Sequence, residues 1–120
     1  MTVEKTMTLS VIVPCFNERA AIADTIEILS QVLGTSGTDE IIVVDDGSTD
    51  GSFDIAKGLK RRHPKLNVLR HETNRGYGAA LKTGIRRAQS ELIAITDADG
   101  TYPNAQLPDL VTEITEADMV

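Results

Sequence analysis

The sequence predicts an α/β fold, an open and mostly parallel sheet with flanking helices. Two observations carry that reading. Four short runs are apolar, rich in β-branched residues and nearly unbroken: Leu9 to Val13, Ile41 to Val44, Leu66 to Leu69 and Leu92 to Ile95. Such runs suit strands buried on both faces better than half-exposed ones, whose residues would alternate. Between them, apolar residues recur at three and four, the spacing of a helix with one buried stripe. Strand and helix alternate four times, which calls for right-handed crossovers between parallel strands.

The elements follow in order. The first strand leads to a helix marked by Ile22, Ile26, Leu29 and Leu33. The second strand opens into Asp45-Asp46-Gly47-Ser48-Thr49-Asp50-Gly51, where Ser48, Thr49 or Asp50 can cap the next helix. That helix is short, with Ile55 and Leu59 on one face, and Arg61-Arg62-His63 reads as its solvated, dipole-favoured end. The third strand precedes a helix carrying Leu81, Ile85 and Ala88, and the fourth strand follows it. Leu107, Leu110, Val111 and Ile114 fit a last helical stripe, and Asp118-Met119-Val120 looks like the opening of a fifth strand. The expected organisation is an N-terminal tail over residues 1–8 and one domain part over residues 9–120, truncated at its C-terminus.

Composition narrows the function classes. A chain of 120 residues with 41% hydrophobic and 25% charged residues suits one globular domain. Its formal charge of −6 disfavours nonspecific nucleic-acid binding. Aromatics at 3% and the absence of Trp argue against a base-stacking platform for single strands. Cys15 is the lone cysteine, so no internal disulfide is possible, and it is expected to pack as a small residue at a strand end. No apolar stretch approaches the ~20 residues of a membrane span. The default expectation is a soluble cytoplasmic domain without a nucleic-acid partner.

Ligands of open α/β sheets bind beyond the carboxyl ends of the strands, and polar residues gather there. Pro14-Cys15-Phe16-Asn17-Glu18 follows the first strand and the acidic Asp45–Gly51 loop the second. His71-Glu72-Thr73-Asn74-Arg75-Gly76-Tyr77-Gly78 follows the third, and Asp97-Ala98-Asp99-Gly100-Thr101 the fourth. Four such loops in succession point to a single cleft. Asp97 and Asp99, one residue apart, can hold a hard divalent cation, which takes one or two carboxylates and leaves the rest to water and phosphate. The bland alternative is an acidic turn opening a helix at Pro103. Asp46, Ser48, Asp50 and Gly51 imitate a calcium loop, but Lys57 stands where the bidentate glutamate belongs. Asp45 and Asp46 exceed what a cap needs, and their carboxylates can accept from ribose or base donors. Gly76-Tyr77-Gly78 is a poor dinucleotide fingerprint, because Leu81 takes the third glycine's place. Arg75 offers a cation near anionic ligands, while His63 and His71 lack ligand spacing and read as surface groups.

These four motifs together resemble the nucleotide-sugar-binding half of the inverting glycosyltransferases of family 2. That half is the Rossmann-like part of a GT-A fold. Within the family the chain is similar to the polyprenyl-phosphate sugar transferases of the dolichol-phosphate mannose synthase type. The stretches that carry the likeness are Val11 to Glu18, Ile42 to Gly51, Asn74 to Ala80 and Thr96 to Gly100. The resemblance implies that Pro14, Phe16 and Glu18 line a base and ribose pocket, with Val44 and Asp46 beside them. It implies that Asp97 and Ala98 touch the nucleoside or sugar side, and that Asp97 and Asp99 form the metal site for Mg²⁺ or Mn²⁺. Asp99 is then the catalytic residue, through the metal-assisted leaving group. Thr101 departs from the pattern, since mannose-type synthases often carry Gln or Met there.

The implied reaction is a single inverting displacement from a UDP- or GDP-linked donor, with a lipid phosphate among the acceptors the resemblance allows. A hydroxyl acceptor would draw its general base from beyond residue 120, and this chain alone is expected to bind a donor without transferring it. The resemblance leaves room for a whole protein at the cytoplasmic face of a membrane. Exposed sheet edge in this part leads to an expectation of self-association. Two alternatives stand beside it. Ile95-Thr96-Asp97-Ala98-Asp99-Gly100-Thr101 also fits the haloacid-dehalogenase-like phosphatases, with Asp97 as nucleophile, Asp99 as acid/base and Mg²⁺. A non-catalytic nucleotide-binding module is the other.

Overall fold

The computed structural model describes residues 8–33 and 39–98. Asp99, the expected helix from Leu107 to Ile114 and the strand opening at Asp118 lie outside the described residues. Within them the alternation of elements is as expected. The strands are β1 (Leu9–Cys15), β2 (Glu40–Asp46), β3 (Leu66–His71) and β4 (Leu92–Ile95). The helices are α1 (Ile22–Leu33), α2 (Ser52–Gly58), which runs into a 3-10 turn at Leu59–Arg61, and α3 (Tyr77–Arg87). All strand pairs are parallel, in the order β3-β2-β1-β4.

Period-2 alternation sends the strand residues to two cores. Val11, Val13, Cys15, Ile41 and Val43 meet Ile22, Ile26, Leu29 and Ala56 of α1 and α2 on one face. Ile12, Ile42 and Val44 meet Ala80, Leu81 and Ala88 on the α3 side of the other. Burial on both faces is why the runs in β1 and β2 are unbroken. The register sets Val13 beside Val43 and Val43 beside Val68, so branched side chains stack across the sheet.

The order of strands also places the cleft. The chain steps outward from β1 to β2 to β3 and then returns through α3 to β4, on the other side of β1. The direction of winding therefore reverses between β1 and β4. A crevice opens at such a switch point, at the carboxyl ends of the strands. Thr25 Oγ1 donates to the Ala98 carbonyl at 3.2 Å, and Thr96 N–H donates to the Ile12 carbonyl at 3.1 Å. These bonds hold the β4 exit, and with it Asp97, against α1 and β1.

Two expectations about histidines are corrected. His71 is 6% exposed, and His63 is half-buried with both ring nitrogens engaged. His63 Nδ1 lies 2.9 Å from Ser30 Oγ and Nε2 lies 2.6 Å from Glu27 Oε1, so the ring ties α1 to the turn before β3. The partners of both rings come from other elements, which spacing along the chain does not reveal. The helix cap is as expected only in part. Gly51 occupies the cap position of α2 without a side-chain bond, at φ +94°, while Asp50 Oδ1 accepts the N–H of Ser52 at 2.9 Å.

Candidate functional site

Six of the expected residues come together around one cavity of about 390 Å³ at the carboxyl edge of the sheet. They are Pro14, Phe16 and Glu18 from the β1 exit, Asp46 from the end of β2, and Asp97 and Ala98 from the β4 exit. Cys15, Asn74, Gly76, Tyr77 and Ala80 complete the lining. The volume falls in the range of small-molecule sites. Val44 is not brought to the cavity: its side chain is wholly buried in the core beneath α3. Asp99 lies outside the described residues.

Phe16 and Tyr77 stand at this cavity, 45% and 57% exposed. Of the three Phe and Tyr rings among the described residues, Phe16, Phe53 and Tyr77, two are at this opening. Exposed rings at a cavity can cover a planar or sugar-like face of a ligand. Reading the loops for charge overlooked Tyr77 and Asn74. The signal available was the position of both at the N-terminal approach to a helix that follows a buried strand.

The β1 and β2 exit loops are laced together. Asn17 takes the left-handed conformation at φ +53°, a region where asparagine is tolerated better than most residues. Its N–H donates to Ser48 Oγ at 2.8 Å, and its Oδ1 accepts from Thr49 N–H at 2.9 Å. Glu18 N–H donates to Ser52 Oγ at 2.9 Å and Arg19 N–H to Asp50 Oδ2 at 3.0 Å. The serine and aspartate side chains of the acidic loop therefore organise the β1 exit. Asp50 is held below the usual carboxylate value, chiefly by the hydroxyl of Ser52 and then by backbone N–H groups.

Asp46 is the hub of the opposite wall. Its Oδ1 accepts from His71 Nδ1 at 2.8 Å and from Arg75 N–H at 2.9 Å, and its Oδ2 accepts from Gly76 N–H at 2.8 Å. Burial pushes this carboxyl up, but the bonds from His71, Arg75 and Gly76 outweigh that and hold it below the ordinary value. His71 Nε2 lies 2.8 Å from the hydroxyl of Thr83 on α3, so the ring bridges β2 and α3. Gly47, at φ +78°, lets the two loops touch: a Cβ there would lie 2.5 Å from the Asn74 nitrogen. Beside them, Asp45 is fully buried and accepts from Ser48 N–H at 3.0 Å. Burial, and then the charge of Asp45, push the Cys15 thiol up to about 12. Cys15 is thus a packed, protonated group, as expected, and not a nucleophile.

Among the described residues no group of three His, Cys, Asp or Glu side chains is placed to hold a metal. Asp97 is half-buried on the cavity wall. A single carboxylate at such a place fits a hard cation that draws its other oxygens from water and a phosphate. No described helix is long and apolar enough to cross a membrane.

The chain matches the family model described as Glycosyl transferase family 2 over residues 10–120. That match displaces the phosphatase reading of Asp97. The dolichol-phosphate mannosyltransferase of Pyrococcus furiosus is 31% identical over 108 residues, 90% of this chain and 30% of that protein. The dodecaprenyl-phosphate galacturonate synthase of Rhizobium johnstonii is 30% identical over 117 residues, 96% of this chain and 35% of that protein. Among solved structures, a mannosyltransferase from Pyrobaculum calidifontis in complex with GDP-Man and Mn²⁺ superposes with a TM-score of 0.76 at 30% identity. The overlap covers 88% of this chain and 31% of that one. The chain spans about a third of the length of the curated relatives it matches.

Proposed function

This chain belongs to glycosyl transferase family 2, and on that premise we propose that it binds the nucleotide-sugar donor of an inverting sugar transfer. The observation that carries the reading is the cavity at the switch point, where Phe16 and Tyr77 flank the carboxylates of Glu18, Asp46 and Asp97. A nucleoside offers a planar base and several hydroxyl donors, and this combination of rings and acceptors suits both. Pro14, Phe16 and Glu18 form the base and ribose side, Asp46 holds the facing loop, and Ala98 brings backbone close to the sugar.

The same carboxylates repel a diphosphate. A Mg²⁺ or Mn²⁺ ion bound by Asp97 and Asp99 would neutralise that charge and stabilise the departing nucleoside diphosphate. The bound Mn²⁺ and GDP-Man of the Pyrobaculum mannosyltransferase support this assignment. A lipid phosphate is the acceptor this reading favours, as the name of the Rhizobium synthase suggests. Being anionic already, it needs no general base, whereas a hydroxyl would. The whole protein would then work where such lipids are, at the cytoplasmic face of a membrane.

The test is thermal shift and calorimetry with UDP, GDP, uridine and guanosine, with Mn²⁺ or with chelator. A ligand at 100 times its dissociation constant adds about 2.7 kcal/mol of stability. One diphosphate should stabilise the chain only when metal is present. Asp99→Asn should abolish the metal-dependent gain and leave nucleoside binding intact. Equal diphosphate affinity in chelator would defeat the metal assignment, and no binding of any nucleotide would defeat the function.

A further inference from the structure

From Thr73 to Ser90 the chain carries four cations, Arg75, Lys82, Arg86 and Arg87, and no acidic residue, although its net charge is −6. Three of them share one face. Arg75, Lys82 and Arg86 line a groove of about 440 Å³ with Gly78, Ala79 and Thr83. It lies on the side of α3 turned away from Ala80 and Gly84, which are buried against the sheet. The small residues Gly78 and Ala79 make the surface concave, so the cations surround a recess. Other cations are engaged within the fold. Arg62 pairs with Glu27, Lys60 donates to the Leu66 carbonyl, Arg19 bonds Asp50, and Arg70 stacks on Phe53. Arg75, Lys82 and Arg86 form no ion pair with the described residues. Tyr77 and Ile85, 57% and 44% exposed, are large apolar side chains of the same helix.

We propose that this groove on α3 is a docking surface for the phosphate headgroups of an anionic lipid bilayer. Charge complementarity selects the occupant: three cations and no acidic side chain line this groove, whereas in the other basic stretch, residues 55–71, Lys60, Arg62 and Arg70 are already engaged within the fold. Cations on a helix that also exposes an aliphatic side chain, here Ile85, are the pattern that settles at a headgroup boundary, while Tyr77 belongs to the donor cavity. The few aromatic residues, 3% of the chain and no Trp, offer little to stack on bases and make a single-stranded nucleic acid the poorer fit. The inference rests on the proposed function in one respect. The loop Asn74-Arg75-Gly76-Tyr77 forms a wall of both the groove and the donor cavity, so docking would hold that cavity at the membrane that supplies a lipid-phosphate acceptor.

The experiment is flotation of the 120-residue chain with vesicles rich in phosphatidylglycerol and with vesicles of phosphatidylcholine alone. Binding is expected to the first only and should weaken with salt. Each basic residue near an anionic surface is worth roughly a fivefold change in affinity, so Lys82→Glu with Arg86→Glu should cost at least ~25-fold. The milder Lys82→Gln with Arg86→Gln should fall between. Lys57→Glu with Arg61→Glu, an equal change of charge elsewhere, should weaken binding far less. Equal losses in the α3 and control pairs would overturn the site. Displacement by inorganic phosphate at matched ionic strength, or tighter binding to an oligonucleotide than to the vesicles, would overturn the occupant. Nucleotide affinity with Mn²⁺, measured on the same variants, should be unchanged, which separates a failure here from a failure of the donor site.

Discussion

Asp46 accepts three hydrogen bonds from the protein itself, from His71, Arg75 and Gly76. A carboxylate has about four acceptor positions, so roughly one is left for a ligand. Its main task is then to hold the loop that carries Asn74 and Tyr77. The charge matters to stability with a definite sign. The folded-state pKa lies below the unfolded value, so the contribution is complete above about pH 4 and is lost as pH falls through the folded value. Asp46→Asn should destabilise the chain at neutral pH by about 1.5–3 kcal/mol, the worth of hydrogen bonds to a charged group. Urea unfolding from pH 7 down to pH 2 checks this. The gap between parent and variant should hold steady to about pH 5 and close below pH 4, and a gap independent of pH would show that the charge is not what counts. The same substitution should weaken nucleosides and nucleoside diphosphates alike, because it loosens a wall both would touch. Asp46 was visible in the sequence as an acidic residue in surplus of capping needs. Its partners were not, because His71 is 25 positions away and meets it only through the β2–β3 register.

Helix α3 lies close on the sheet because Gly84 faces it. A Cβ at Gly84 would come within 2.5 Å of Ile12 Cγ2 and 3.3 Å of Val44 Cγ2. Both are branched side chains fixed in the core, with no flexible end to swing aside. Gly84→Ala therefore sets two effects against each other. Alanine gains up to ~1 kcal/mol of helix propensity, while overpacking a filled core costs ~1–3 kcal/mol. The clash is with side chains that are wholly buried, so the net effect should be destabilising by about 1 kcal/mol, read as a lower urea midpoint at unchanged slope. A higher midpoint would mean that α3 can lift off without loss. The apolar steps Leu81, Ile85 and Ala88 were enough to predict this helix, yet they misplace its contact face in part. Ile85 is 44% exposed, and Ala80 and Gly84 make the closest approach. Hydrophobic spacing registers large side chains, whereas close packing here depends on small ones.

For the molecule as a whole, the alternation of textures was sufficient for the class of fold, and the strand-end rule sufficed to gather Pro14, Phe16, Glu18, Asp46 and Asp97 at one cavity. Strand order was beyond that reading, because apolar runs say that strands are buried but not which neighbours bury them. The order matters for association. β3 and β4 are the outer strands among the described residues, and they differ. β3 contains Asn67 and Arg70, and Lys60 caps the Leu66 carbonyl at 2.6 Å. β4 is Leu92-Ile93-Ala94-Ile95, with no charge or proline to discourage pairing. Leu92 N–H donates to Thr8 and Thr96 N–H to Ile12. Strand alternation therefore points the Ile93 and Ile95 amides away from β1. We expect the 120-residue chain to associate through this edge as concentration rises, and amide exchange can locate the contact. Leu92 and Thr96 should be protected at every concentration, because their bonds lie within the sheet. Ile93 and Ile95 should exchange fast in dilute solution and slow down in step with the growth in mass seen by sedimentation. Exchange at those two amides that ignores concentration, fast or slow, would place any self-association on another surface.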